Sequence, residues 1–148
     1  MPVRDEELTS IKLLDGSVLQ QAFLGVTYIN PHSKKHVKLK ALIDTGADLC
    51  LLPSEFAEIL GHDLTAGYET ELSGINGNSK AYKHTVIIQI PGFSTDEVLV
   101  CFKDDLKLPI LGVQTFLRHF TLTIDYPNGV FSLTREQSPE NMNNWPLP

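Results

Sequence analysis

The sequence predicts an all-β domain, and three observations carry that prediction. Val37, Leu39, Ala41 and Ile43 alternate with Lys38 and Lys40, the period of two that marks a half-buried strand. Apolar runs of strand length recur along the chain, separated by turn residues at Asp15-Gly16, Asn30-Pro31, Asn76-Gly77, Pro91-Gly92 and Pro127-Asn128-Gly129. Helical patterning is confined to one or two short segments.

Taken in order, Leu13-Leu14 and Val18-Leu19 flank Asp15-Gly16 and predict a hairpin. Gln21 to Ile29 is a strand, broken at Asn30-Pro31-His32-Ser33. The alternating strand then runs into Asp44, and Leu49-Cys50-Leu51-Leu52 is a short buried strand. Pro53 to Gly61 is the first credible helix, with Ser54 as its cap, Phe56, Ile59 and Leu60 on one face, and Gly61 ending it. Glu69 to Leu72 and Tyr82 to Ile90 bracket Gly74-Ile75-Asn76-Gly77-Asn78, a long hairpin with a glycine-rich tip. Asp96 to Phe102 returns as a strand. Pro109-Ile110-Leu111-Gly112 precedes a second helical segment, Val113 to Phe120. Thr121 to Tyr126 and Val130 to Leu133 form a last hairpin. No fixed-period repeat appears.

The 148 residues are 42% hydrophobic and 20% charged, which fits one folded domain with a core of its own. The division expected is a domain over residues 1–134 and a polar, flexible tail over residues 135–148, whose composition buries too little apolar surface to offset ordering. Trp145 leaves open that this tail docks or is processed. A net charge of −6 argues against a nucleic-acid binder that relies on Lys and Arg. The apolar runs are too short for a membrane span. Met1-Pro-Val-Arg-Asp-Glu-Glu precedes no signal-peptide core. Cys50 and Cys101 are far apart and read as small buried hydrophobes, not a disulfide scaffold. A reducing, cytoplasmic setting is expected.

The chemistry concentrates in Ala41-Leu42-Ile43-Asp44-Thr45-Gly46-Ala47-Asp48. An apolar strand ending in Asp-Thr-Gly presents a carboxylate on a turn whose glycine permits close backbone approach. This run resembles the active-site signature of aspartic proteases, in the form seen in retroviral proteases (retropepsins). The hairpin around Gly74-Gly77 would match the flap of that family, and Ile110-Leu111-Gly112 its late apolar-apolar-Gly motif. The resemblance covers Val18 to Leu133. The continuation into a C-terminal hairpin is more similar to the cellular Ddi1-type and stand-alone microbial members.

The resemblance implies a closed-barrel acid-protease protomer with one or two short helices, acting as a homodimer on a peptide or protein substrate without metal or cofactor. Asp-Thr-Gly occurs once, so the second carboxylate must come from another chain. Asp44 would be catalytic, with Thr45 and Gly46 supporting its loop. Ala47, Asp48, Gly74, Ile75, Gly77 and Ile110 would contact substrate, and Leu42 and Leu52 would help wall the pockets. Many retroviral members carry an Arg after the late glycine to pair with the second Asp of the run. Here Val113 and Gln114 stand there, so Asp48 lacks that partner. The alternative is a catalytically silent peptide-binding or dimerisation module of the same fold. The intact Asp44-Thr45-Gly46 favours the enzyme.

Other candidates are weaker. His32 and His36 have no third ligand nearby and sit beside a proline turn. Ser54 and Ser73 have no triad context. The glycine-rich tip lacks the Lys-Ser/Thr of a phosphate loop.

Overall fold

The structure, a computed structural model, describes residues 3–74 and 77–135. It is mostly β. The strands are β1 (Val3–Glu7), β2 (Thr9–Lys12), β3 (Val18–Gln21), β4 (Phe23–Ile29), β5 (His36–Ile43), β6 (Leu51–Pro53), β7 (Tyr68–Gly74), β8 (Gly77–Ile90), β9 (Phe93–Lys103), β10 (Ile110–Leu111), β11 (Thr121–Asp125) and β12 (Val130–Thr134). The α-helix α1 (Glu55–Ile59) and two 3-10 turns, Leu64–Ala66 and Leu117–His119, complete the elements.

A seven-stranded sheet runs in the order β4-β5-β10-β6-β9-β8-β7, and β4 pairs with β8 as well. A three-stranded sheet has the order β1-β12-β11, and β2 and β3 form a separate hairpin. β5 keeps the alternation read from its sequence. Val37 and Leu39 are half-buried, Ala41 and Ile43 are buried, and Lys38 and Lys40 face solvent. In β4, Leu24, Val26 and Tyr28 turn inward. They join Leu52, Leu60, Ile88, Phe102, Leu111 and Phe116 in one apolar core, which extends to Leu8, Phe131 and Leu133 beneath the three-stranded sheet. Burying a side chain of that size contributes about 1.5–3 kcal/mol.

Several local expectations are corrected. β1, which the sequence reading left unassigned, is recruited by β12 through Val3↔Leu133 and Glu7↔Val130. The strand expected over Gln21 to Ile29 is divided at Ala22, whose carbonyl accepts the Ile43 N–H at 2.9 Å. In the first hairpin, Leu13 and Leu14 lie in the turn and not in the strand. Gly16 there adopts φ +87°. Ser54 has no capping bond; its hydroxyl instead reaches the Asp104 carboxylate. In so short a helix Ala57 and Leu60 take the buried face and Ile59 is left 51% exposed. Gly61 does end the helix, at φ +79°. The second helical segment reduces to turns and the single 3-10 turn at Leu117–His119. Ile75 and Asn76, and the tail beyond Arg135, lie outside the described residues.

Candidate active site

β10 is the key to the site. It lies parallel to β5, with Ile110 beside Leu42 and Leu111 beside Ile43. On its other side it runs antiparallel to β6, Ile110 facing Leu51. The chain therefore leaves β5 at Asp44, loops out, and returns as β6 with a distant segment threaded between the two. Asp44 N–H donates to Leu111 O at 3.1 Å, which continues the β5–β10 pairing up to the carboxylate.

The loop is closed by its own backbone. Gly46 N–H donates to Asp44 Oδ1 at 2.9 Å, and Ala47 N–H to Asp44 O at 3.2 Å. A Cβ at residue 46 would stand 3.2 Å from that same Oδ1, so glycine leaves the oxygen its room. Asp44 itself is half-buried, while Thr45, Gly46 and Asp48 are exposed. One carboxylate oxygen is thus held by an amide, and Oδ2 takes no hydrogen bond from any described residue.

The segment after β10 straps the loop down. Val113 N–H donates to Ala47 O and Gln114 N–H to Asp48 O, each at 2.8 Å. Cys50 N–H donates to Thr115 Oγ1 at 3.2 Å, and Gly112 N–H points to Cys50 Sγ at 3.4 Å. Burial pushes the Cys50 thiol up from its ordinary range, against the Thr115 and Gly112 hydrogen bonds. The strap answers the missing Arg in part. Backbone amides of Val113 and Gln114 hold the main chain at Ala47 and Asp48, and the Asp48 carboxylate is left without an ion pair among the described residues.

The hairpin forms as expected. β7 and β8 pair from Tyr68↔Lys83 to Gly74↔Gly77, and Gly77 adopts φ +104°. Between this hairpin and the Asp44 loop lies a half-open cavity of about 410 Å³. Ala47, Asp48, Leu49 and Leu51 line it from the loop side, Glu71, Leu72 and Ser73 from β7, and Lys103 from the end of β9.

Of the residues singled out from sequence, Asp44 through Asp48 come together on one loop, and Ala47 and Asp48 reach this cavity. Gly74 and Gly77 stand at the hairpin's end. Leu42 and Ile110 are half-buried neighbours in the sheet and Leu52 is fully buried in the core, and none of the three lines this cavity. Ile75 is outside the described residues. Sequence reasoning missed Leu49, Leu51, Glu71, Leu72, Ser73 and Lys103. The β7 residues were within reach by counting back from Gly74, whereas Lys103 arrives through the β6–β9 pairing Pro53↔Lys103, which has no local signal.

Among the described residues no group of three or more His, Cys, Asp or Glu is arranged to hold a metal ion, and no helix is long and apolar enough to cross a membrane.

A carboxylate on a glycine turn, backed by a threaded apolar-apolar-Gly strand and faced by a long hairpin, defines the retropepsin-like class of aspartic proteases. The chain belongs to that family: the profile described as "gag-polyprotein putative aspartyl protease" matches residues 32–119. Among solved structures it is similar to a retropepsin-like aspartic protease from Rickettsia conorii, at 27% identity over 87% of this chain and 92% of that one, with a TM-score of 0.61. It also matches the EIAV protease in complex with the inhibitor HBY-793, at 25% identity over 62% of this chain and 81% of that one, TM-score 0.46. The retroviral protease-like domain of Ddi1 from Leishmania major matches at 21% identity over 89% of this chain and 100% of that one, TM-score 0.46. No curated protein sequence matches significantly.

Proposed function

We propose that the chain is an aspartic endopeptidase that works as a homodimer, each protomer supplying one Asp44. The observation that carries this reading is how Asp44 is presented. It is half-buried at the end of β5, one oxygen is fixed by Gly46 N–H, and the loop borders a cavity under the hairpin. Two such carboxylates facing across a twofold axis cannot both ionise cheaply, so the pair shares one proton and titrates as a unit. The ionised member takes a proton from a water held between them. The protonated member donates to the scissile carbonyl oxygen as the water oxygen bonds to its carbon. Collapse of that intermediate then breaks the C–N bond, with a proton delivered to the leaving amine.

In this reading Thr45, exposed on the loop, meets the partner's loop. Gly46 keeps the carboxylate unobstructed. Ala47, Asp48 and the hairpin end at Gly74, Ile75 and Gly77 hold the extended peptide, and Ile110 backs the loop from the sheet. The continuous pairings β4-β5-β10-β6-β9-β8-β4 support a closed-barrel protomer. β1 and β11 are the outer strands of the three-stranded sheet, and their open edges suit pairing with a second copy. We assign residues 1–134 to the protease domain and 135–148 to a dispensable tail. Cys50 and Cys101 are unpaired and buried, which suits a reducing, cytoplasmic setting.

The test is a peptide-library digestion from acidic to neutral pH with wild type and Asp44→Asn, alongside sedimentation. Loss of cleavage by about 10²–10⁴-fold or more in the variant, at unchanged fold and dimer, is the expected result. Undiminished turnover by pure Asp44→Asn, or a fully active monomer, would refute it. Peptide binding by a wild type that never cleaves would identify a binding module.

A further inference from the structure

We infer that the cavity beside the Asp44 loop selects a basic substrate side chain, arginine above lysine. The inference rests on the protease reading for the path of the peptide, and on this chain's own residues for the preference. The apolar part of the cavity lining comes from Leu49, Leu51 and Leu72. Its charged walls come from two different elements, Asp48 on the loop after β5 and Glu71 on β7. Neither carboxylate is compensated by a described residue. Glu71 lies opposite Lys80 in the β7–β8 register. Lys80 nevertheless extends to Glu69, forming an ion pair at 3.4 Å. Asp48 has no ion pair among the described residues, and Val113 and Gln114 after Gly112 offer only backbone amides to its loop.

The remaining charge on the cavity, Lys103, is already engaged. Its Nζ donates to the Asp104 carbonyl at 3.2 Å. The lining therefore carries two carboxylates with no ion pair among the described residues, beside leucines and one cation whose ammonium is directed to a backbone oxygen, and it is left with a net negative charge. A long aliphatic stem with a cationic head complements that arrangement, stem on the leucines and head between the carboxylates. A guanidinium suits it best, because its planar fork can donate to two carboxylates at once and is less strongly hydrated than an ammonium. Partly screened ion pairs at a protein surface are each worth roughly a factor of 2–5. The expected preference is about tenfold at low salt.

The experiment uses position-scanned peptides in which each site in turn carries arginine, norleucine or glutamate. Binding is measured by fluorescence anisotropy to the full-length Asp44→Asn variant, and kcat/KM is measured with wild type. At one position arginine is expected to exceed norleucine by about tenfold, to exceed glutamate by more, and to lose most of the advantage in 1 M salt. Glu71→Lys, on an exposed strand position where melting temperature reports an intact fold, is expected to reverse the order in favour of glutamate. Equal affinity for all three side chains at every position would overturn the inference and leave the protease reading standing if the peptides are cleaved. An arginine preference that survives both Glu71→Lys and Asp48→Asn would overturn it too. An arginine preference in binding, abolished by Glu71→Lys, with no cleavage by wild type, would keep the selection and sink the protease reading. No binding and no cleavage of any peptide would overturn both.

Discussion

Gly112→Ala tests how the active loop is held. The Cβ of alanine at this site would lie 2.3 Å from Leu49 O, 2.5 Å from Leu49 C and 2.7 Å from Leu49 N. All three are backbone atoms, so no side chain can swing away. Gly112 is not among the positive-φ residues, so its constraint is space and not conformation. Ordinary contact begins near 3.5 Å, so loop and strap must part by about 1 Å. The bonds Val113 N–Ala47 O and Gln114 N–Asp48 O are 2.8 Å each, and that separation would carry both beyond bonding range. Losing two such bonds costs about 1–3 kcal/mol, and overpacking about 1–3 kcal/mol more. Opposing this, alanine restricts the unfolded chain and stabilises by about 0.4–1 kcal/mol. The clash wins, leaving a net loss of roughly 1–5 kcal/mol. Urea titration and thermal melting check this figure. Peptide cleavage measured well below both transitions checks the functional consequence, a fall of about 100-fold for a displacement of about 1 Å. A variant within about 0.5 kcal/mol of wild type with unimpaired turnover would refute the strap as the device that positions Asp44.

Tyr28 is fully buried and its hydroxyl has no hydrogen-bond partner among the described residues, so Tyr28→Phe should be neutral or stabilising by up to about 1 kcal/mol in chemical denaturation; a clear loss would reveal an ordered water on that oxygen. A Cβ at residue 77 meets no atom within 4 Å but must hold φ +104°, so Gly77→Val should lower the melting temperature by only a few degrees while cutting turnover about tenfold or more, and the reverse pattern would make this hairpin scaffold. His62 packs 4.5 Å from the His84 ring, and burial, then His84, hold its pKa below the ordinary value, with a Thr85 backbone hydrogen bond opposing. The unfolded chain therefore takes up the proton first, so stability is full above about pH 6.5 and declines as pH falls through that value toward the folded pKa; a melting temperature flat from pH 7.5 to 5.5, or an equal decline in His62→Phe, would refute this.

Much of the site was legible because it is local. Asp44 to Asp48 are consecutive, and the alternation of Val37 to Ile43 fixes which way the strand feeding them faces. Gly77 was legible through Asn76-Gly77, a dipeptide that announces positive φ. What stayed hidden depends on partners far along the chain. β1 has no apolar alternation and becomes a strand only because β12 offers an edge. The run Leu49 to Leu52 looked like one strand, yet Leu49 and Cys50 are turned aside where Gly112 packs on the Leu49 backbone. Ser54 had the right type for a cap and found Asp104, fifty positions away, instead. Glu71 and Lys103 carry no motif, and long-range strand pairings bring them to the cavity, β7–β8 for Glu71 and β6–β9 with β8–β9 for Lys103.

Three glycines divide the work of the site by distinct physical means. Gly46 spares a carboxylate oxygen from a methyl group at 3.2 Å, Gly112 lets two backbones touch, and Gly77 supplies a turn that L side chains resist. The first two act on the loop that holds Asp44 and make it stiff, through backbone bonds that vary little with side-chain identity. The third acts on the hairpin that faces the loop, where a Cβ at residue 77 would meet open space among the described residues. This asymmetry suits acid–base chemistry on a peptide. In the proposed protease reading the carboxylate would stand still relative to the substrate, since proton transfer tolerates little displacement, whereas the opposite wall would part to admit an extended chain and then exclude water. The selectivity inferred for Asp48 and Glu71 fits the same division. One carboxylate rides on the stiff wall and the other on the opposing hairpin, so a basic side chain bound between them would draw the two walls together.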